Sequence, residues 1–167
     1  IYFMAFYCAA LLFQDLEKMK YAIVFSIISA LIVSFIGIYQ YFFVKVRTAM
    51  AWVDITQFPE LSTRVYATME NPNVLAEYLG FIIPINLGLL WAAKKPAVKG
   101  LLGIITSIIA LCLILTFSRG AWLGLALAVM IFAVLKEPRL LIVILVLAFV
   151  SPAFMPDVVQ TRIASIG

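Results

Sequence analysis

Arg119 is the only charged residue between Lys99 and Lys136, and it stands in the run Thr116-Phe117-Ser118-Arg119-Gly120-Ala121-Trp122, where one long apolar stretch ends and the next begins. An arginine buried at the centre of a membrane span costs roughly 2.5–3.5 kcal/mol on insertion scales, and less where the side chain reaches the interface. A cation at the start of the following helix also opposes the helix dipole. Ser118 supplies the capping side chain there without help from an arginine. An anionic partner would remove both penalties, since amides at a helix N-terminus and a guanidinium together favour phosphate or carboxylate. The blander account is an arginine snorkelling from a turn, paired with Glu77 or Glu70. The anion site is weighted above it.

A second group of polar residues lies in Arg64-Val65-Tyr66-Ala67-Thr68-Met69-Glu70-Asn71-Pro72-Asn73. Asn71 is a good N-cap and Pro72 a good first helical residue, because the asparagine oxygen accepts an orphan N–H and the proline has none to satisfy. A helix start accounts for Asn71, Pro72 and Asn73 without further function, but it leaves Arg64 unexplained. Glu70 and Glu77 are candidate bases or salt-bridge partners, and Glu77, about one turn into its helix, reads equally well as a dipole-compensating residue. The third group is the exit Pro152-Ala153-Phe154-Met155-Pro156-Asp157-Val158-Val159-Gln160-Thr161-Arg162, in which Arg162 ranks below Arg119 and Arg64.

The elements that would position these residues are set by composition. Hydrophobic residues make up 66% of the 167 positions and charged residues 12%, against roughly 45–50% and 25% in an ordinary soluble domain. Apolar runs near the length needed to cross a bilayer occupy 1–13, 21–43, 74–93, 101–117, 121–135 and 140–154, where a span takes roughly 20 residues. The expected fold is all-α: a polytopic transmembrane helical bundle of about six spans. No repeat or linker divides it, so residues 1–167 are expected to form a single helical domain. Ile1 in place of methionine, a first run of only 13 residues and the abrupt end after Arg162 lead us to expect a fragment of a larger multi-span protein. Most connectors are short. The exception is an outer loop at about 44–73, carrying Trp52, Asp54, Phe58, Pro59, Glu60 and Arg64, and long loops carry function or are disordered. Tyr39, Tyr41, Phe42 and Phe43, at the end of the second run, are best read as an aromatic belt.

Charge orients the runs. One face collects Lys18, Lys20, Lys94, Lys95, Lys99, Lys136 and Arg139 against Asp15, Glu17 and Glu137, and the other balances Lys45, Arg47, Arg64, Arg119 and Arg162 against Asp54, Glu60, Glu70, Glu77 and Asp157. The basic face is expected to be cytoplasmic. This asymmetry accounts for the net charge of +4 without nucleic acid as a partner. Membrane lipids are the expected surroundings. The sequence contains no histidine, and Cys8 and Cys112 each lie inside an apolar run, which argues against a disulfide or a zinc site. Any base must be a carboxylate, lysine or tyrosine, or come from chain outside this sequence.

The three polar groups, in this order and at span ends, resemble the O-antigen ligase and polymerase superfamily of bacterial membrane glycosyltransferases. The resemblance rests on Arg64 through Asn73, on Thr116-Phe117-Ser118-Arg119-Gly120-Ala121 and on Val158-Val159-Gln160-Thr161-Arg162, and covers roughly residue 39 to the end. It implies a multi-pass enzyme of the bacterial inner (plasma) membrane whose chemistry faces outward. Such an enzyme needs no metal or other cofactor and takes a lipid-linked undecaprenyl-diphosphate glycan as donor. The acceptor would be a lipid core or a growing glycan. Arg119 and Arg64 match the family arginines that hold the donor diphosphate, with Ser118, Asn73 and Arg162 as further substrate-binding positions. The family also uses a histidine in a later outer loop to activate the acceptor hydroxyl, and this chain has none. The resemblance thus implies a chain that binds or positions donor without completing transfer.

Two other classes fit the same residues. An anion transporter, of the bicarbonate type to which some superfamily members have been assigned, would use the arginines as an anion site. Transporters, however, place broken helices and polar groups near the midplane, and here the polar groups collect at the outer ends of the runs. A membrane scaffold would use Arg64 and Arg119 only to meet lipid headgroups.

Overall fold

In a computed structural model of the chain, residues 14–44 and 64–136 are described, together with positions 3, 4, 7 and 10. The described residues are helices, turns and connectors, with no strand among them. Four helices are long and apolar enough to cross a membrane. They correspond to the second to fifth expected spans. The expected spans at 1–13 and 140–154 lie outside the described residues, apart from helical positions 3, 4, 7 and 10, so the structure supports four spans where six were expected.

Helix α1 runs from Leu16 to Tyr39 and continues as a π-helical turn, Gln40–Val44. It starts earlier than the apolar run because Asp15 caps it, its side chain accepting the Glu17 N–H at 2.9 Å. Helix α2, Pro72–Ala92, begins at the Asn71 cap expected from the sequence, with Asn71 Oδ1 accepting the Asn73 N–H at 2.8 Å. A short connector leads to α3, Pro96–Leu115, which again opens on proline, a residue whose missing N–H is an orphan at that position anyway. Helix α4, Arg119–Lys136, starts directly on the candidate arginine.

The chain forms two compact units, Ile1–Trp122 and Leu123–Gly167. In the first, α3 packs against both α1 and α2, and α1 also meets α2. Ala30, Leu75, Ala76, Leu79, Ile109 and Cys112 are fully buried, whereas Phe25, Ile32, Phe35, Phe81 and Ile104 are exposed. Large apolar side chains on the outside are what lipid surroundings select, and close backbone approach, where it occurs, needs small residues at the contact. Gly37 shows the effect: a Cβ built on it would lie 2.7 Å from the Cys112 sulfur. Between α2 and α3 the buried Asn86 Nδ2 donates to Thr106 Oγ1 at 2.7 Å and to the Leu102 carbonyl at 3.1 Å. Polar groups are therefore not confined to helix ends. Pro84, one half-turn before Asn86, also lies inside α2 and removes an i to i−4 donor there. Of the second unit the structure describes 123–136, the remainder of α4, with Leu123, Leu127, Ile131 and Leu135 exposed.

Candidate functional site

Within the first unit, the C-terminal end of α1, the N-terminal end of α2, the C-terminal end of α3 and the start of α4 all bond to residues 64–71 or to one another. This is the end that the charge pattern assigns to the outer face. Arg64 sits at its centre, 7% exposed. Its Nε donates to the Thr116 carbonyl at 2.7 Å and one terminal nitrogen to Asn73 Oδ1 at 2.6 Å. Thr116 is the C-cap of α3, so the guanidinium meets carbonyls left without intrahelical partners at the negative end of the helix. Burial pushes the Arg64 pKa below its ordinary value. An arginine starts so high that it remains a cation at neutral pH.

The backbone beside Arg64 is fastened as well. Val65 N–H donates to the Leu115 carbonyl at 3.3 Å. Gln40 pairs with both backbone groups of Ala67, its Nε2 donating to the carbonyl at 3.0 Å and its Oε1 accepting the N–H at 2.8 Å. Two turn bonds, from Met69 N–H to the Tyr66 carbonyl and from Asn71 N–H to the Met69 carbonyl, lead into the α2 cap. Ala67, Glu70 and Phe117 have positive φ of 50°, 58° and 51°. Each such residue costs of order 1–3 kcal/mol and persists where surrounding contacts over-determine it, a condition met at functional sites.

Thr116 also shapes the turn into α4. Its Oγ1 donates to the Leu113 carbonyl at 2.6 Å and accepts the Ser118 N–H at 3.3 Å. Ser118 is buried and occupies the cap position, its carbonyl accepting the Trp122 N–H at 3.1 Å. Trp122 Nε1 returns to the Leu113 carbonyl at 3.4 Å. Arg119 is exposed, and its side chain makes no hydrogen bond or ion pair among the described residues, so the pairing with Glu70 or Glu77 weighed from the sequence is not formed. Glu70 and Glu77 are themselves exposed.

The structure thus joins Arg64, Asn73 and Thr116 by direct bonds and places Ser118 and Arg119 in the turn that follows Thr116. Arg162 and the C-terminal exit, like Trp52 through Glu60 of the outer loop, lie outside the described residues. Tyr39 stacks on Phe43 at 5.1 Å and both rings are exposed, in keeping with the aromatic-belt reading. Sequence reasoning missed Gln40, whose signal was a lone side-chain amide in an otherwise apolar run, among aromatics that drew the attention instead.

No protein family matches this chain in a family scan, and neither a curated protein nor a solved structure matches it.

Proposed function

We propose that this chain belongs to a multi-span glycosyltransferase of the O-antigen ligase and polymerase type, in the bacterial inner membrane with its site facing outward. In this reading the end that carries Arg64 and Arg119 holds the diphosphate of an undecaprenyl-linked glycan. The glycan moves onto a lipid core or a growing polysaccharide. The observation that carries the reading is the contrast between the two arginines. Arg64 is buried and fastened to Thr116 and Asn73, whereas Arg119 stands exposed at the first position of α4 with no partner among the described residues. Arg119 meets the diphosphate, where negative charge grows as the glycosyl bond breaks and fixed positive charge lowers the barrier. Ser118 sets the first turn of α4, Asn73 sits in the first turn of α2, and Arg64 keeps the two starts in register. Glu70 and Glu77, both exposed, remain candidate bases or salt-bridge partners and are not assigned the catalytic role.

Transfer of glycan from an undecaprenyl-diphosphate donor by the full-length protein tests this, with wild type and Arg119→Lys compared at matched expression. Lysine keeps the charge but not the bidentate fork. A collapse of transfer in a folded, inserted variant is the expected result. Normal transfer by Arg119→Lys would remove the reading's main support.

An anion transporter is the second reading, and one observation favours it: the buried Asn86–Thr106 pair, two residues beyond Pro84 in the continuous helix α2, puts polar groups away from the helix ends. Bicarbonate uptake into vesicles that is abolished by Asn86→Leu would favour the transporter. Uptake indifferent to that change would count against it.

A further inference from the structure

The amide of Gln40 reads both backbone groups of one residue 27 positions away, Ala67. Two hydrogen bonds to a single peptide position do more than hold a loop down. They hold its N–H and carbonyl on one side chain at once, and so fix the backbone conformation of Ala67 as well as its position, which a slip by one residue would have to break. Ala67 is also one of the left-handed positions, a conformation that a non-glycine residue keeps only when its neighbours enforce it.

Gln40 is well placed to enforce it. It lies where α1 changes from α to π geometry, and its own N–H is shared between the Gly37 and Ile36 carbonyls. Turns of this kind occur preferentially at functional sites. Beneath it, Gly37 lets α1 approach α3 closely, with the Ala67 and Val65 side chains 3.7 Å from the position a Cβ would take. Residues 64–71 are thus bonded to α1 through Gln40, to α3 through Leu115 and Thr116, and to α2 through Asn71 and Asn73. Of these bonds, the Gln40 pair is the one that holds both the N–H and the carbonyl of a single residue.

The geometry points to Gln40 as a positioning residue: its amide fixes the register of residues 64–71 and thereby sets where the Arg64 guanidinium lies relative to Thr116 and Asn73. Gln40 touches no substrate in this assignment. Its effect on transfer rests on the glycosyltransferase reading, but its effect on the segment does not.

The experiment is amide hydrogen exchange on the full-length protein in lipid nanodiscs, comparing wild type with Gln40→Ala and Gln40→Glu, alongside glycan transfer by the same samples. Gln40→Ala removes both bonds, and exchange across 65–71 should rise by at least about tenfold while α2 and α3 stay protected. Gln40→Glu keeps the acceptor for the Ala67 N–H and loses the donor, so it should fall between the two. Unchanged protection at 65–71 in Gln40→Ala overturns the assignment. Should the segment open while transfer stays at the wild-type level and Arg64→Ala abolishes it, the link from Gln40 to Arg64 is overturned as well. If wild type transfers no glycan, the glycosyltransferase reading fails, and exchange alone decides the role of Gln40.

Discussion

Arg64 and Thr116 lie 52 residues apart in sequence, and the Nε of the first donates to the carbonyl of the second at 2.7 Å. The bond ties the stretch before α2 to the end of α3, and it lets a buried cation complete a helix C-terminus. Its strength makes Arg64 a structural residue whatever ligand the site takes. Hydrogen bonds to a charged group contribute about 1.5–3 kcal/mol each. Arg64→Ala, which removes both bonds and leaves the carbonyl of buried Thr116 without its cation, should therefore lower stability by about 3 kcal/mol. Reversible unfolding in detergent or bicelles reads this, and a loss below about 0.5 kcal/mol would contradict the geometry.

Arg119→Ala should behave in the opposite way. An exposed side chain with no partner among the described residues leaves folding within about 0.5 kcal/mol of wild type when removed. The comparison with Arg64→Ala in the same assay separates an arginine that holds the fold from one kept for a ligand. A stability loss on the scale of Arg64→Ala would place Arg119 in the first class.

Gly37→Ala should destabilise by about 1–3 kcal/mol, because its Cβ would lie 2.7 Å from the Cys112 sulfur and one of the two must shift. Cys112→Ala removes that sulfur. The double variant should recover most of the loss, and additive effects of the two changes would show that the close approach is not what constrains this position.

Glu70→Gly should be neutral or stabilising, by up to about 1 kcal/mol, since the exposed glutamate sits at φ 58° and glycine adopts that conformation without penalty. Thermal unfolding reports the sign. A clear loss would mean that the carboxylate makes a contribution outweighing the backbone strain.

Asn86 and Thr106 should couple by about 0.6 kcal/mol, and by no more than about 1.7, in a double-mutant cycle built on Asn86→Ala and Thr106→Ala, the average and maximum for polar pairs between membrane helices. No coupling would mean that Asn86 relies on the Leu102 carbonyl alone.

What the sequence disclosed and what it concealed divide by range. The start of α2 was legible because Asn71 and Pro72 carry their own instruction in adjacent residues. The isolation of Arg119 at a helix start was legible because a lone charge among apolar residues needs only counting. Arg64 was noticed and left without an account, because its partner is a backbone carbonyl at residue 116, and nothing local marks one carbonyl from another. The π-helical turn and the amide of Gln40 were hidden for a similar reason. Both answer to a segment folded back from 27 residues later, and an apolar run reads the same whether its last turn is α or π. Helix bounds moved outward by a few residues at Leu16, Pro72 and Pro96, where capping and N-terminal proline extend a helix past its apolar core.

The double bond from Gln40 to Ala67 also bears on how such a protein diversifies. It fastens the chain just after α1 and just before α2, so both stems flanking residues 45–63 are held independently of what lies between them. For a loop with pinned stems, closure entropy rises by only about 0.6 kcal/mol per doubling of length. Changes in the length of the intervening stretch should therefore cost little in closure while the arginine keeps its place, because its partners and those of Ala67 lie outside that stretch.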